Sequence, residues 1–284
     1  MECKFNVAGI VFSVCGNQLC NEILKIGGFT PFLAGDEEDS EFSFSFSNSV
    51  PGEFDIQYSF EYEDVVGEFG AWSNGFILKL KPSFQEPLFL WCEYGGKEVF
   101  LYGNLSLRLF RFALWVGYGL MTYDKGIIAV HSSCIVADGS AVIFLGESGT
   151  GKSTHTRLWR ENISGAVLLN DDSPVVRVFD DGTVWVYGSP WSGKTPCYKQ
   201  EKYPLAACVR LSQAPYNKMH KLHLLKGYAA LHPSCPPEFA YDERIYSHIS
   251  TTLGALLKVV PCWHLECLPD ADAALMSYNT IFDW

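Results

Sequence analysis

The sequence is short of positive charge, of long apolar runs and of cysteines spaced for a framework. Its 284 residues carry 21 Lys and Arg against 32 Asp and Glu, a formal net charge of −11. Broad electrostatic attraction to nucleic acid or anionic lipid is therefore not expected. No Lys or Arg occurs from Ile26 to Asn74. The ten cysteines contain no CxxC pair and no zinc-like spacing. Several lie in apolar runs, such as Val14-Cys15 and Ala207-Cys208-Val209, where a thiol packs as a small hydrophobe. Reduced, mostly buried cysteines in a cytoplasmic protein are the expectation. The longest apolar stretch, Phe112 to Tyr123, falls short of the roughly 20 residues a membrane span needs, and reads as a buried helix. Met1-Glu2-Cys3-Lys4 has no net positive charge and no small-residue cleavage site follows, so no targeting segment is expected. There is no internal repeat and no low-complexity linker.

What is present is apolar matter, 48% of the chain, enough for one large domain or two smaller ones with proper cores. Residues 1–104 read as a β-rich N-terminal domain. Phe42, Phe44 and Phe46 alternate with serines, and Tyr58, Phe60 and Tyr62 alternate with polar residues, the period-two pattern of strands. Val50-Pro51-Gly52 marks a turn between them. Acids gather at 36–39 and 61–64, as solvated loops or as a docking face. Ser106 to Tyr123 is helical and apolar. Residues 105–284 read as the second domain, with strands at 126–130, 133–136, 141–145, 166–169, 174–179 and 183–187. Helices are expected over 244–257 and 270–278, with a strand near 260–265. Asp138-Gly139 is a hairpin turn signal. The overall class is α/β (α+β).

The chemistry concentrates after the apolar strand Ala141 to Leu145. Gly146-Glu147-Ser148-Gly149-Thr150-Gly151-Lys152-Ser153-Thr154 matches the phosphate-binding pattern GxxxxGK[ST], with a strand before it and a helix after it. Glycines let successive backbone N–H groups converge on phosphate oxygens, and the helix adds its positive N-terminal end. Lys152 can reach the β- and γ-phosphates, and the Ser153 hydroxyl can ligate Mg²⁺. About twenty residues on, Asn170-Asp171-Asp172 supplies two carboxylates, suited to holding a metal and to taking a proton. His131, before the hairpin that leads to the loop, is a structural residue or a group at its phosphate end. Gly188 to Thr195 contains Ser-Gly-Lys-Thr without the first glycine of a second phosphate loop. Its glycines, Pro190 and Trp191 around Lys194 suit either a loop shaped over a ligand or a packed surface turn with a solvated lysine.

Taken together, His131-Ser132-Ser133-Cys134, the hairpin, the glycine-rich segment and Asn170-Asp171-Asp172 resemble the catalytic core shared by HPr kinase/phosphorylase and ATP-dependent phosphoenolpyruvate carboxykinase. The resemblance covers about Lys125 to Thr195. It implies a mixed-sheet P-loop core of that type, behind the smaller β-rich domain. It also implies that Gly146 to Thr154 hold ATP phosphates, that Ser153, Asp172 and His131 lie at a metal, that Lys194 contacts substrate phosphate, and that Asp171, Asp172, Lys152 and His131 form the catalytic group, with the division of base and metal ligand between the two aspartates left open. The chain lacks the Arg-Gly and glutamate segment of HPr kinases after the Asp pair, with Gly188 to Lys194 in its place, as in a divergent branch.

The leading expectation is an ATP- and Mg²⁺-dependent phosphotransferase, with Mn²⁺ as the alternative ion, acting on a hydroxyl. Serine in a protein, a peptide or a small molecule would be the acceptor. The alternatives are a carboxykinase-like enzyme and a non-catalytic nucleotide sensor. The acceptor and the oligomeric state, a homo-oligomer included, are left open. Arg210, Asn217, His223 and Arg244 could close over substrate or be ordinary surface and structural residues. Leu265 to Asp270 reads as strand, turn and helix cap.

Overall fold

Alternating apolar residues in the first hundred positions build one sheet. Its strands are β1 (Glu2–Val7), β2 (Ile10–Cys15), β3 (Phe42–Phe46), β4 (Asp55–Tyr62), β5 (Val65–Trp72), β6 (Gly75–Pro82), β7 (Leu88–Glu93) and β8 (Glu98–Gly103). They lie in the order β1-β2-β3-β8-β7-β6-β5-β4. Pairing is parallel at β2–β3 and β3–β8 and antiparallel elsewhere. This computed structural model describes residues 1–193 and 195–282. Two helices accompany the sheet, α1 (Asn17–Lys25) and α2 (Leu107–Thr122).

The expected alternation in β3 is met by burial, since Phe42 and Phe44 are enclosed while Phe46 is exposed. In β4 the same alternation carries little burial, because β4 is the sheet's edge strand. The core is aromatic. Phe12 stacks on Phe42 with ring centres 5.4 Å apart, and Tyr118 of α2 meets Phe12 edge-on at 6.0 Å. Gly117 allows the close approach of α2, for a Cβ there would stand 2.6 Å from the Phe44 ring. Of the acidic segments, Glu63 and Asp64 form ion pairs with Arg108, while Lys4 donates to the backbone carbonyls of Asp36 and Glu38.

Because α2 packs on this sheet, the first compact unit runs from Met1 to Tyr123 and also takes in Glu238–Tyr246. The boundary read from sequence, 104/105, leaves that helix with the second domain. The Tyr118 hydroxyl donates to the Val7 carbonyl at 2.9 Å inside the core. Tyr118→Phe is expected to lower stability by about 1 kcal/mol, or up to ~3 if the carbonyl finds no other donor, measured by urea unfolding.

The second unit comprises Asp124–Pro237 and the chain from Ser247 onward. Its strands are β9 (Ile127–Ala129), β10 (Ser132–Ala137), β11 (Ser140–Leu145), β12 (Val167–Asp172), β13 (Val175–Val178), β14 (Val184–Tyr187), β15 (Lys202–Gln213), β16 (Lys218–Lys221) and β17 (Cys262–Cys267). The helices are α3 (Lys152–Asn162), α4 (Leu224–Leu231), α5 (Glu243–Val259), whose first four residues belong to the first unit, and α6 (Ala271–Phe282). The sheet runs β12-β10-β11-β15-β14-β13-β9, with β17 on β15 and β16 on β17. β10 and β11 form the expected hairpin, turning at Asp138 and Gly139 with φ of 48° and 73°. β11 then lies parallel to β15, and β15 parallel to β17. The fold is thus mixed α/β, with a mixed sheet in each unit.

The long strand β15 had no counterpart in the sequence reading. Its first residues pair with β14, and the rest lie between β11 and β17. Val142 and Phe144, Val209 and Leu211, Leu265, and the helices α3 and α6 share one core. Trp159 of α3 fills it, with its indole N–H donating to the Ser277 hydroxyl at 2.9 Å.

His155 is buried beside Phe144, and burial pushes its pKa from 6.5 down to about 4. The unfolded chain therefore binds more protons than the native one between those values. The stabilising contribution is complete above pH 6.5 and is lost as pH falls through about 4. At pH 5 that loss is on the order of 2 kcal/mol relative to pH 7.5. His155→Gln is expected to flatten this part of the pH–stability curve, measured by denaturant unfolding at the two pH values.

Candidate functional site

β11 delivers the chain into a turn that only flexible residues can make. Gly146, Gly149 and Gly151 have φ of 149°, 84° and 104°. A Cβ on Gly146 would meet the Thr150 hydroxyl at 2.6 Å, whereas Gly149 and Gly151 face open space. That space is what a bound group would need. The Thr150 N–H and hydroxyl both bond the Glu147 carbonyl, at 3.2 and 2.8 Å, which closes the turn. Gly151 caps α3, and the first amide bonded within the helix is that of His155, to the Gly151 carbonyl at 2.8 Å. The amides of Lys152, Ser153 and Thr154 therefore stand at the helix's positive end.

Lys152 folds back over the loop. Its ammonium donates to the carbonyls of Gly146 and Glu147, at 2.7 and 3.2 Å, and to His131 Nε2 at 3.2 Å. An ammonium has no acceptor, so Nε2 accepts and the proton of neutral His131 lies on Nδ1. That nitrogen is 3.2 Å from Asp172 Oδ1. Burial lowers the Lys152 pKa, while the charges of Asp172 and Asp171 act in the opposite sense.

Strand register brings the Asp pair to the loop. β12 runs antiparallel to β10, setting Ser132 opposite Asp172, Ser133 opposite Asp171 and Cys134 opposite Asn170. Sequence reading ends that strand at Leu169; pairing with β10 extends it through Asp172. Asp171 Oδ1 accepts the hydroxyls of Ser133 at 2.7 Å and Ser153 at 2.9 Å. Ser133 in turn lies 3.0 Å from the Thr156 hydroxyl. Asp171 is buried, whereas the Asp172 side chain is 35% exposed and that of His131 51%. One carboxylate is thus enclosed among hydroxyls and the other open to a reactant.

Asn170, fully buried, fixes the pair from behind. Its Oδ1 accepts the N–H groups of Asp172 and Ser173 at 3.0 and 2.9 Å, and its amide donates toward Ser189 and the Trp191 carbonyl. Gly193 N–H reaches the Asp171 carbonyl at 3.2 Å, so the segment around Trp191 packs beside the carboxylates. Lys194, the expected substrate contact, lies outside the described residues.

The structure therefore brings Lys152, Ser153, His131, Asp171 and Asp172 together, with Gly146, Glu147, Ser148, Gly149, Thr150, Gly151 and Thr154 on the loop and helix start. Sequence reading gave no site role to Ser133, quoted only within its motif, or to Thr156 and Ser189, because their contacts span 38, 23 and 19 residues. Asn217 instead ties Leu268 N–H and Asp270, and Arg244 serves the first unit through Asp242 and Tyr94. His223 caps α4.

No protein-family model matches the chain, and no curated protein matches it. Among solved structures the chain is similar to the Hpr(Ser) kinase/phosphatase from Coxiella burnetii, with 11% identity and a TM-score of 0.31 over 55% of this chain and 94% of that one. A similarity of that depth carries neither a fold nor an activity across.

Proposed function

We propose that the second unit is an ATP- and Mg²⁺-dependent phosphotransferase of the HPr kinase-like P-loop type, acting on a hydroxyl. The observation that carries this reading is the 2.9 Å hydrogen bond from Ser153 to Asp171, which joins the start of α3 to the carboxylate pair. In this reading the amides of Gly149 to Ser153 and the Lys152 ammonium receive the nucleotide phosphates. The hard oxygen donors Ser153 Oγ and Asp171 fit magnesium, and manganese equally. A divalent ion held there supplies positive charge against the charge that develops on the transferring group. The resemblance sets Asp172 at the metal and leaves open which aspartate is ligand and which is base; in this reading the main ligand is Asp171.

Asp172 is then the base. It is the more exposed carboxylate, and His131 holds one of its oxygens while the other can take the proton of an acceptor hydroxyl. His131 positions Asp172 on one side and Lys152 on the other. The acceptor is serine-like, in a protein, a peptide or a small molecule. Ten cysteines with no disulfide among the described residues suit a reducing compartment such as the cytoplasm. No described helix is long and apolar enough to cross a membrane.

The test is transfer of γ-labelled phosphate from Mg-ATP into a lysate of the source organism, resolved into proteins and small molecules. A labelled acceptor supports the reading. Tight nucleotide binding with neither transfer nor hydrolysis would replace it with a sensor.

A further inference from the structure

The β16–β17 ribbon carries a second cluster that the phosphotransfer reading does not use. His220 and His264 are directly opposed on antiparallel strands, with ring centres 5.2 Å apart. Opposed residues share a face, and so do residues two apart on one strand, which adds Glu266 to the pair. One ligand atom from each of the three lies within 4.8 Å of the other two. The opposite face, with Met219, Trp263, Leu265 and Cys267, packs against the core. A one-residue slip would bury the imidazoles, so the register holds the cluster outward.

We propose that His220, His264 and Glu266 form a binding site for a divalent transition-metal ion of the zinc class. Two imidazoles and a carboxylate suit such an ion better than magnesium or calcium, which prefer all-oxygen shells. Three protein ligands leave a fourth position for water or a small anion.

The surroundings supply the outer contacts that metal sites use. Ser212 Oγ is 2.9 Å from His264 Nε2 and fixes that ring, leaving Nδ1 to face an ion. The Tyr216 hydroxyl donates to Glu266 Oε1 at 3.1 Å, leaving Oε2. Bonds of 2.0–2.1 Å in a tetrahedron place ligand atoms about 3.4 Å apart. The cluster need contract by at most about 1.4 Å, which the exposed His220 can supply by a small side-chain rotation. Two cations compete for the same face. Lys218 stands opposite Glu266, and Arg210 stands opposite His264 on β15.

The test is zinc titration of the reduced full chain against a chromophoric chelator, in millimolar Mg²⁺ so that hard oxygen sites are filled. Wild type should take one equivalent at micromolar concentration or tighter. His220→Ala should lose that equivalent without a change in metal-free melting, and Ser212→Ala should bind about 10- to 100-fold more weakly. Equal zinc binding in wild type and His220→Ala would overturn the proposal, as would no uptake by wild type. Cobalt(II) provides an independent readout that needs no variant. Weak tetrahedral d–d bands without a thiolate charge-transfer band are expected, and a strong thiolate band would assign the metal to cysteines.

Discussion

Lys152→Ala is expected to lower phosphoryl transfer by about 10²–10³-fold, the usual effect of deleting one preorganised electrostatic donor. The ammonium is half-buried against the loop, held by two loop carbonyls and by His131, so its charge is weakly screened. Nucleotide affinity should fall as well, because in the proposed reading the same group contacts phosphate. Lys152→Arg is not expected to rescue activity. A planar guanidinium cannot direct three donors from one nitrogen into the same turn. Steady-state transfer with the two variants, alongside their melting curves, checks this. Wild-type rates in Lys152→Ala would remove the loop from the mechanism.

Asp172→Asn should reduce kcat by about 10²–10⁴-fold, the range for loss of a general base. The substitution keeps the shape and an acceptor for His131 Nδ1, so the local geometry and the affinity for ATP should persist. Asp171→Asn separates the two carboxylates. Asp171 accepts the Ser133 and Ser153 hydroxyls, so its neutral variant should lose magnesium-dependent affinity for nucleotide before it loses anything else. If Asp171→Asn instead keeps that affinity while Asp172→Asn loses it, the roles are exchanged. Isothermal titration with and without magnesium, paired with transfer rates, distinguishes the outcomes.

The loop was legible because its chemistry is local. Gly146, Gly149 and Gly151 sit where positive φ is required, and Lys152 and Ser153 follow at the start of a helix. The hairpin into the loop was also readable, since Asp138-Gly139 has the turn chemistry and β11 is a continuous apolar run. The partners of Asp171 were not readable. Ser133 and Ser153 lie 38 and 18 residues from their shared acceptor, and only the β10–β12 register brings Ser133 there.

The same reason hid the histidine cluster. His220 and His264 are far apart in sequence and meet only through the β16–β17 ladder; sequence reads a strand near 260–265 but no strand at His220. α2 falls within the first compact unit for a different cause. α2 is apolar on the face that meets Phe12, Phe42 and Phe44, and a sequence shows that a helix is amphipathic without showing which sheet it covers.

In the proposed reading the turn from Gly146 to Ser153 and the Asp171-Asp172 pair form one nucleotide-phosphate site. Equilibrium binding of a fluorescent ATP analogue to the full chain, with and without magnesium, tests it most directly. Saturable binding is expected, strengthened by magnesium, displaced by unlabelled ATP and severely weakened in Lys152→Ala. Absence of binding, or the same affinity in wild type and Lys152→Ala, would contradict it.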